Sequence, residues 1–201
     1  MRTAVNRYDF ILASSSPRRR DLLRGLGFSF LVVPSGIEEI DGLPRQPHEH
    51  TLVWARTKAV QVSRDHHAEW ILAADTIVVI DGEILGKPAD ASEATAMLSR
   101  LSGRAHSVVT GFCLLHPAKK IQECCWVETR VHMRRLDPDE IEGYVRTGEP
   151  MDKAGAYGIQ GIGGCLVRRI NGSYSNVVGL PLCEVVELFR RHQVADPFKA
   201  A

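Results

Sequence analysis

Residues 71–80, Ile-Leu-Ala-Ala-Asp-Thr-Ile-Val-Val-Ile, form a ten-residue run that is apolar except for Asp75 and Thr76. A run of this kind reads as a buried strand, and strand-like and helix-like segments alternate around it. Residues 10–13 read as a strand, 17–26 as a helix and 28–33 as a second strand, giving a β-α-β opening. Residues 49–64 read as a helix with an apolar stripe of Leu52, Ala55, Ala59 and Val62, and Lys58 sits at its rim. Further on come a helix over 91–101, paired strands over 106–116 and 121–133, and a helix opened by Asp137-Pro138-Asp139-Glu140 that ends before Gly148. Six glycines between 148 and 164 mark a loop that brings backbone close to something. A strand over 165–170 and an amphipathic helix over 181–192 close the chain. The pattern predicts an α/β fold in a single domain spanning residues 1–201, with two lobes around a cleft.

Composition narrows the function. The 201 residues are 44% apolar and 24% charged, which excludes disorder as the main state. Lys plus Arg number 25 against 24 Asp plus Glu, so the net charge of +1 gives no field for gripping a nucleic-acid polymer. Anion recognition must be local. Five cysteines without a CxxC pair fit a reducing cytoplasm, and Cys124 and Cys125 read as packing residues on opposite strand faces. The first ten residues lack the apolar core of a signal peptide, and no run is long enough for a membrane span.

Two local anomalies point to chemistry. In Ser14-Ser15-Ser16-Pro17-Arg18-Arg19-Arg20, Ser16 is placed as N-cap and Pro17 at the first helical position, so three arginines occupy a first turn that favours acids. Either they splay into solvent or a phosphate chain joins them, and a strand-to-helix turn is where α/β folds seat phosphates. The second anomaly is Asp75, a carboxylate inside an apolar strand that needs a cation or hydrogen bonds. It is either a satisfied core acid or a group that ligates Mg²⁺ or takes a proton from water. Lys58, Lys87 in Gly86-Lys87-Pro88, Arg18 and Arg19 would together make four cations for one triphosphate, with Glu38 and Glu39 as nearby acids. Arg104 and His106 either approach the cleft or cap a turn, and the paired histidines 48/50 and 66/67 read as surface residues.

These stretches, with Leu101-Ser102-Gly103-Arg104-Ala105-His106 and the segment from Gly148-Glu149-Pro150-Met151-Asp152-Lys153 through Gly158-Ile159-Gln160-Gly161, resemble the successive motifs of the Maf family of nucleoside triphosphate pyrophosphatases. Asn171-Gly172-Ser173-Tyr174 and Val178-Gly179-Leu180-Pro181-Leu182 extend the likeness, which runs from about residue 10 to 190. The resemblance implies a cytoplasmic, usually dimeric enzyme whose mixed twisted sheet is flanked by helices, similar to inosine triphosphate pyrophosphatases. It implies Mg²⁺ or Mn²⁺ as cofactor and cleavage of a triphosphate to monophosphate and pyrophosphate.

By motif position, the resemblance places Asp75 as proton acceptor. Ser16, Arg18, Arg19, Lys58 and Lys87 fall on phosphate-site positions, and Glu39 with Asp75 on the metal. Arg18, Thr76 and Gln160 match the branch resembling dTTP/UTP pyrophosphatases. A Gln amide can accept from N3–H and donate to O4 of uracil or thymine, whereas cytosine presents the inverted pattern. The alternatives are the branch acting on 7-methyl-GTP and a non-catalytic nucleotide-binding regulator of cell division.

Overall fold

The computed structural model describes residues 8–37 and 46–199. Its strands are β1 (Phe10–Leu12), β2 (Phe30–Val32), β3 (Ile71–Ile80), β4 (Glu83–Leu85), β5 (Ala105–His116), β6 (Ile121–Met133) and β7 (Val167–Asn171). Its α-helices are α1 (Pro17–Gly25), α2 (Pro47–Ser63), α3 (Ala91–Leu101), α4 (Pro138–Arg146), α5 (Tyr174–Val178) and α6 (Leu182–His192). Three short 3₁₀ turns fill residues 149–166. One mixed sheet runs in the order β2-β1-β3-β5-β6-β7, with β4 added to β3. β1 is parallel to both β2 and β3, whereas β4 on β3 and β7 on β6 are antiparallel.

The chain divides into two compact units, and β3, β5 and β6 contribute residues to both. Of the described residues, the first comprises those up to Asp75, Gly111–Trp126 and those from Gly179 onward. Its β1 is buried at every position, as a parallel strand covered on both faces must be. On one side Phe10 meets Phe28, Phe30 and Phe189, with ring centroids 4.7–5.9 Å apart. Ile11, Ala13, Ile71 and Ala73 pack with Ala55, Ala59 and Val62 of α2. The buried face of α2 is Thr51, Trp54, Ala55, Ala59 and Val62, so the expected stripe is shifted: Leu52 is only half-buried. At Gly111 on β5, an added Cβ would lie 2.5 Å from the Thr51 carbonyl carbon, so the side-chain-free strand position lets the helix backbone come close.

The second unit comprises Thr76–Thr110 and Val127–Val178. Its core joins Val78, Ile80, Val108, Val131 and Met133 from the sheet to Leu98 and Leu101 of α3 and Ile141 and Tyr144 of α4. The start of α4 is a complete capping box: the Asp137 side chain accepts from the Glu140 N–H and the Glu140 side chain accepts from the Asp137 N–H. His106, which the sequence left between two roles, is a core residue at 1% exposure, its Nε2 2.7 Å from the Tyr157 hydroxyl. Burial, with Arg130 and His132 adding repulsion, holds its pKa down to about 4.

The segment boundaries expected for β3, α3 and β6 coincide with those observed. β4 and α5 were not expected; at 3 and 5 residues they are too short to show a period. β2 and β7 begin two residues later than their patterns suggested, because the ladder with a neighbour, not local apolarity, sets where a strand starts. Cys113 and Cys124 are joined by a disulfide across the neighbouring strands β5 and β6, which corrects the reading of Cys124 as a packing residue. Cys125, Cys165 and Cys183 are free thiols.

Two outcomes follow from this packing. Gly111→Ala should lower unfolding free energy by about 1–3 kcal/mol through overpacking against Thr51, measured by denaturant titration. His106 is neutral in the fold and titrates near its ordinary value when unfolded, so the unfolded chain binds the extra proton between roughly pH 6.5 and 4. Stability should therefore fall over that window with a slope approaching 1.4 kcal/mol per pH unit. The slope should flatten in His106→Gln.

Candidate active site

The turn between β1 and α1 is held by side chains bonding to backbone. Ser16 is the N-cap of α1, its hydroxyl accepting from the Arg19 N–H at 3.5 Å, with Pro17 following at the helix start. The Ser14 hydroxyl accepts from the Ser16 N–H at 3.1 Å. The first turn carries no acid, and Arg18, Arg19 and Arg20 stand where the helix dipole is positive.

The three arginines have different surroundings. Arg20 pairs with Asp21 at the surface. Arg18 is half-buried. Arg19 is buried: its Nε donates to the Gly179 carbonyl at 2.8 Å, and its Nη1 donates to the Ala74 carbonyl at 2.8 Å and to the Ser14 hydroxyl at 3.3 Å. The planar fork thereby ties the turn to the residue preceding Asp75 and to the segment before α6.

Asp75 ends the part of β3 that belongs to the first unit. It is 3% exposed, and its Oδ1 accepts from Lys58 Nζ at 2.7 Å. Lys58 projects from α2 between the buried Ala55 and Ala59 turns, so the small residues that let α2 lie close to the sheet also bring the ammonium within reach. Taking both charges out of water is costly, and their mutual attraction offsets part of that cost. The anomaly in the sequence is thus a salt-bridged carboxylate, with Lys58 as its cation.

A hard divalent cation takes carboxylate oxygens, and Asp75, whose second oxygen Oδ2 is also buried, offers that chemistry. Among the described residues no group of three or more His, Cys, Asp or Glu side chains gathers to hold a metal ion. A Mg²⁺ ion commonly binds one or two carboxylates and completes its shell with waters and phosphate oxygens, so the donor set fits an ion bound together with substrate. Glu38 and Glu39, expected near the metal, lie outside the described residues.

The second unit holds the other expected residues. The Thr76 and Thr110 hydroxyls are 2.9 Å apart, and Thr110, fully buried, donates to the Asn176 carbonyl at 3.3 Å. The Asn176 amide in turn donates to the Val108 carbonyl and the Thr129 hydroxyl. Lys87 is exposed in the turn after β4, and the neighbouring Gly86 carbonyl accepts from the Gly155 N–H, which ties that turn to the glycine-rich segment. Gln160 is exposed, in extended backbone just before the last 3₁₀ turn.

The segment that carries Gln160 is clamped by Glu149. Its Oε1 accepts from the Tyr144 hydroxyl and the Gly163 N–H, each at 2.9 Å, and its Oε2 accepts from the Ile162 N–H at 3.0 Å. Tyr144 also accepts from the Gly158 N–H at 3.3 Å. Burial pushes the Glu149 carboxyl up, but the Gly163 and Ile162 N–H groups and the Tyr144 hydroxyl outweigh it and hold the pKa below the usual range. The Tyr144 hydroxyl is pushed up by burial and by the carboxylate it donates to. Gly163 admits no side chain, since a Cβ would sit 2.4 Å from the Tyr144 hydroxyl. Sequence reasoning placed Glu149 only within a motif, and it missed Tyr144, Thr110 and Asn176. Only the glycine density of the segment hinted that its backbone would be gripped.

Removing the clamp should be felt locally. Glu149→Ala leaves three donors without their acceptor, at about 1–3 kcal/mol for each that stays buried. Hydrogen exchange should speed up across residues 158–163 while the amides of β3 keep their protection. Unchanged exchange in the loop would show that the clamp is dispensable.

Comparison with known proteins adds lineage to this geometry. The family model described as Maf-like protein matches residues 9–192. A dTTP/UTP pyrophosphatase of Pyrococcus abyssi is 51% identical over 180 residues, covering 90% of this chain and 94% of the relative. That of Desulfotalea psychrophila is 50% identical over 177 residues, covering 88% and 91%. That of Syntrophotalea carbinolica is 48% identical over 183 residues, covering 90% and 83%. Among solved structures, the Ham1 protein of Staphylococcus aureus overlaps with a TM-score of 0.45 at 12% identity, covering 79% of each chain.

Proposed function

Because the chain belongs to the Maf family, we propose that it is a nucleoside triphosphate pyrophosphatase that hydrolyses dTTP and UTP to the monophosphate and pyrophosphate. The observation that carries the reading is the buried Lys58–Asp75 pair, set beside a strand-to-helix turn whose first helical residue, Pro17, is followed by three arginines. A carboxylate held there can take a proton, and the turn offers N–H groups and positive charge to phosphate.

In the reaction, water attacks the α-phosphorus, the bond from that phosphorus to the α–β bridging oxygen breaks, and pyrophosphate leaves. Asp75 receives the proton from the attacking water. Lys58 compensates the carboxylate before the transfer, and its ammonium can turn toward phosphate oxygens as the carboxylate is neutralised. Arg18 and Lys87 offset charge growing on the pyrophosphate leaving group. Arg19, engaged with backbone carbonyls, keeps the Ser16 turn in the shape that receives phosphate.

Mg²⁺ or Mn²⁺ would be held by Asp75 with Glu39, and it would supply Lewis-acid stabilisation of phosphate charge. Arg18, Thr76 and Gln160 set base selectivity. The Gln160 amide accepts from the pyrimidine N3–H and donates to O4, and the hydroxyl pair with Thr110 fixes Thr76. A homodimer working in the cytoplasm completes the reading, supported by the family resemblance.

The experiment is direct. Purified chain with Mg²⁺ should release pyrophosphate from dTTP and UTP, and much more slowly from CTP and 7-methyl-GTP. Asp75→Asn should reduce turnover at least a thousandfold while thermal unfolding stays cooperative. Gln160→Ala should lower the preference for UTP over CTP by about tenfold or more, the worth of an unpaired hydrogen-bonding group. Preferred hydrolysis of 7-methyl-GTP, or nucleotide binding without turnover, would overturn the assignment.

A further inference from the structure

Five arginines of the second unit line one cavity that the proposed reaction does not use. It has a volume of about 530 Å³ and lies where β5 begins, β6 ends and β7 forms the sheet edge. Arg104, Arg134, Arg135, Arg168 and Arg169 line it together with His132, and the lining contains no carboxylate. Arg104 is paired with Asp81 and Arg134 with Glu140, both outside the lining. Arg135, Arg168 and Arg169 make no ion pair among the described residues. In β7, Arg169 stands directly opposite His132 of β6, at an irregularity in the register between His132 and Met133.

This concentration needs a cause. The whole chain carries nearly equal numbers of acidic and basic residues, so interleaved charges of both signs are the expectation for any patch of its surface. Gathering guanidinium groups around one hollow opposes folding through mutual repulsion, and an anion in the hollow reverses the sign of that contribution. The residue type also discriminates. Each guanidinium presents a planar fork of donors that matches phosphate oxygens two at a time, which lysine cannot do. No Phe, Tyr or Trp lines the cavity and its one ring is the His132 imidazole, so phosphate oxygens rather than a nucleobase are what the lining is built to meet.

We propose that this cavity is a second anion site that binds a polyphosphate chain, read through its phosphates alone. The chain is either free or the tail of a nucleotide, and the site is independent of Asp75.

The test follows the arginine side-chain Nε–H signals of the full protein by NMR, in the Asp75→Asn background and without added divalent metal. Inorganic tripolyphosphate and dTTP are titrated separately, with sulfate at matched ionic strength as reference. Saturable movement of the Arg168 and Arg169 signals with tripolyphosphate, absent with sulfate, supports the site. Movement with tripolyphosphate alone assigns a free chain, and equal movement with dTTP assigns a nucleotide tail.

The triple variant Arg135→Ser, Arg168→Ser, Arg169→Ser should weaken binding read at Arg104 and Arg134 at least tenfold. Its thermal unfolding should stay cooperative, and without Asp75→Asn it should leave the dTTP hydrolysis rate within twofold. Arginine signals that stay still, or that move equally with sulfate, would overturn the proposal and leave the arginines as charges that keep edge strand β7 from pairing with other chains. So would a response to single-stranded DNA without one to tripolyphosphate. The NMR readings do not depend on whether the protein hydrolyses dTTP.

Discussion

An ionised carboxylate inside a buried strand needs a cation or hydrogen bonds to offset its lost hydration, and the cation that reaches Asp75 organises the first unit. Lys58 reaches Asp75 because α2 lies close to the sheet, with Ala55 and Ala59 fully buried on the helix face and Gly111 admitting the Thr51 backbone. Larger residues at any of these positions would lift the helix and draw the ammonium away from the carboxylate. Packing and electrostatics are therefore one problem here. The pair is a weak source of stability compared with an apolar core of the same volume, so its presence is better understood through chemistry than through folding.

Both loops that carry expected site residues are built in the same way, by a charged side chain bonding to backbone, buried in the case of Arg19 and half-buried in that of Glu149. Arg19 donates to the carbonyls of Ala74 and Gly179, and Glu149 accepts from the N–H groups of Ile162 and Gly163. The signs are opposite, but the consequence is shared: an irregular segment keeps one shape without helix or strand ladders. Charge-assisted bonds suit the task, being shorter and stronger than neutral ones. A loop fixed before substrate arrives loses less freedom on binding, and a group such as Gln160 can then discriminate by hydrogen-bond pattern.

The arginines of the chain divide by context more than by number. Arg19 is a structural fork, Arg104 and Arg134 sit in ion pairs, and Arg135, Arg168 and Arg169 gather without acids around a hollow at the sheet edge. A net charge of +1 conceals this arrangement, since balanced totals say nothing of where the charges stand.

Local order was legible in the sequence wherever it depends on neighbours along the chain. The ten-residue apolar run marked β3, Asp137-Pro138-Asp139-Glu140 marked the start of α4, and Ser16-Pro17 marked the start of α1. Periods and caps act over a few residues, so they can be read without a fold. The sequence also marked Asp75 as a charge in need of a partner. It could not say which partner, because Lys58 is 17 residues away, nor that Arg19 would close on carbonyls 55 and 160 residues distant. His106 became a core residue through Tyr157, 51 positions on, and Cys124 found Cys113 across the sheet. Tertiary structure alone decided these roles, because a side chain's charge state and partners follow from what folding brings beside it and from how much water folding removes.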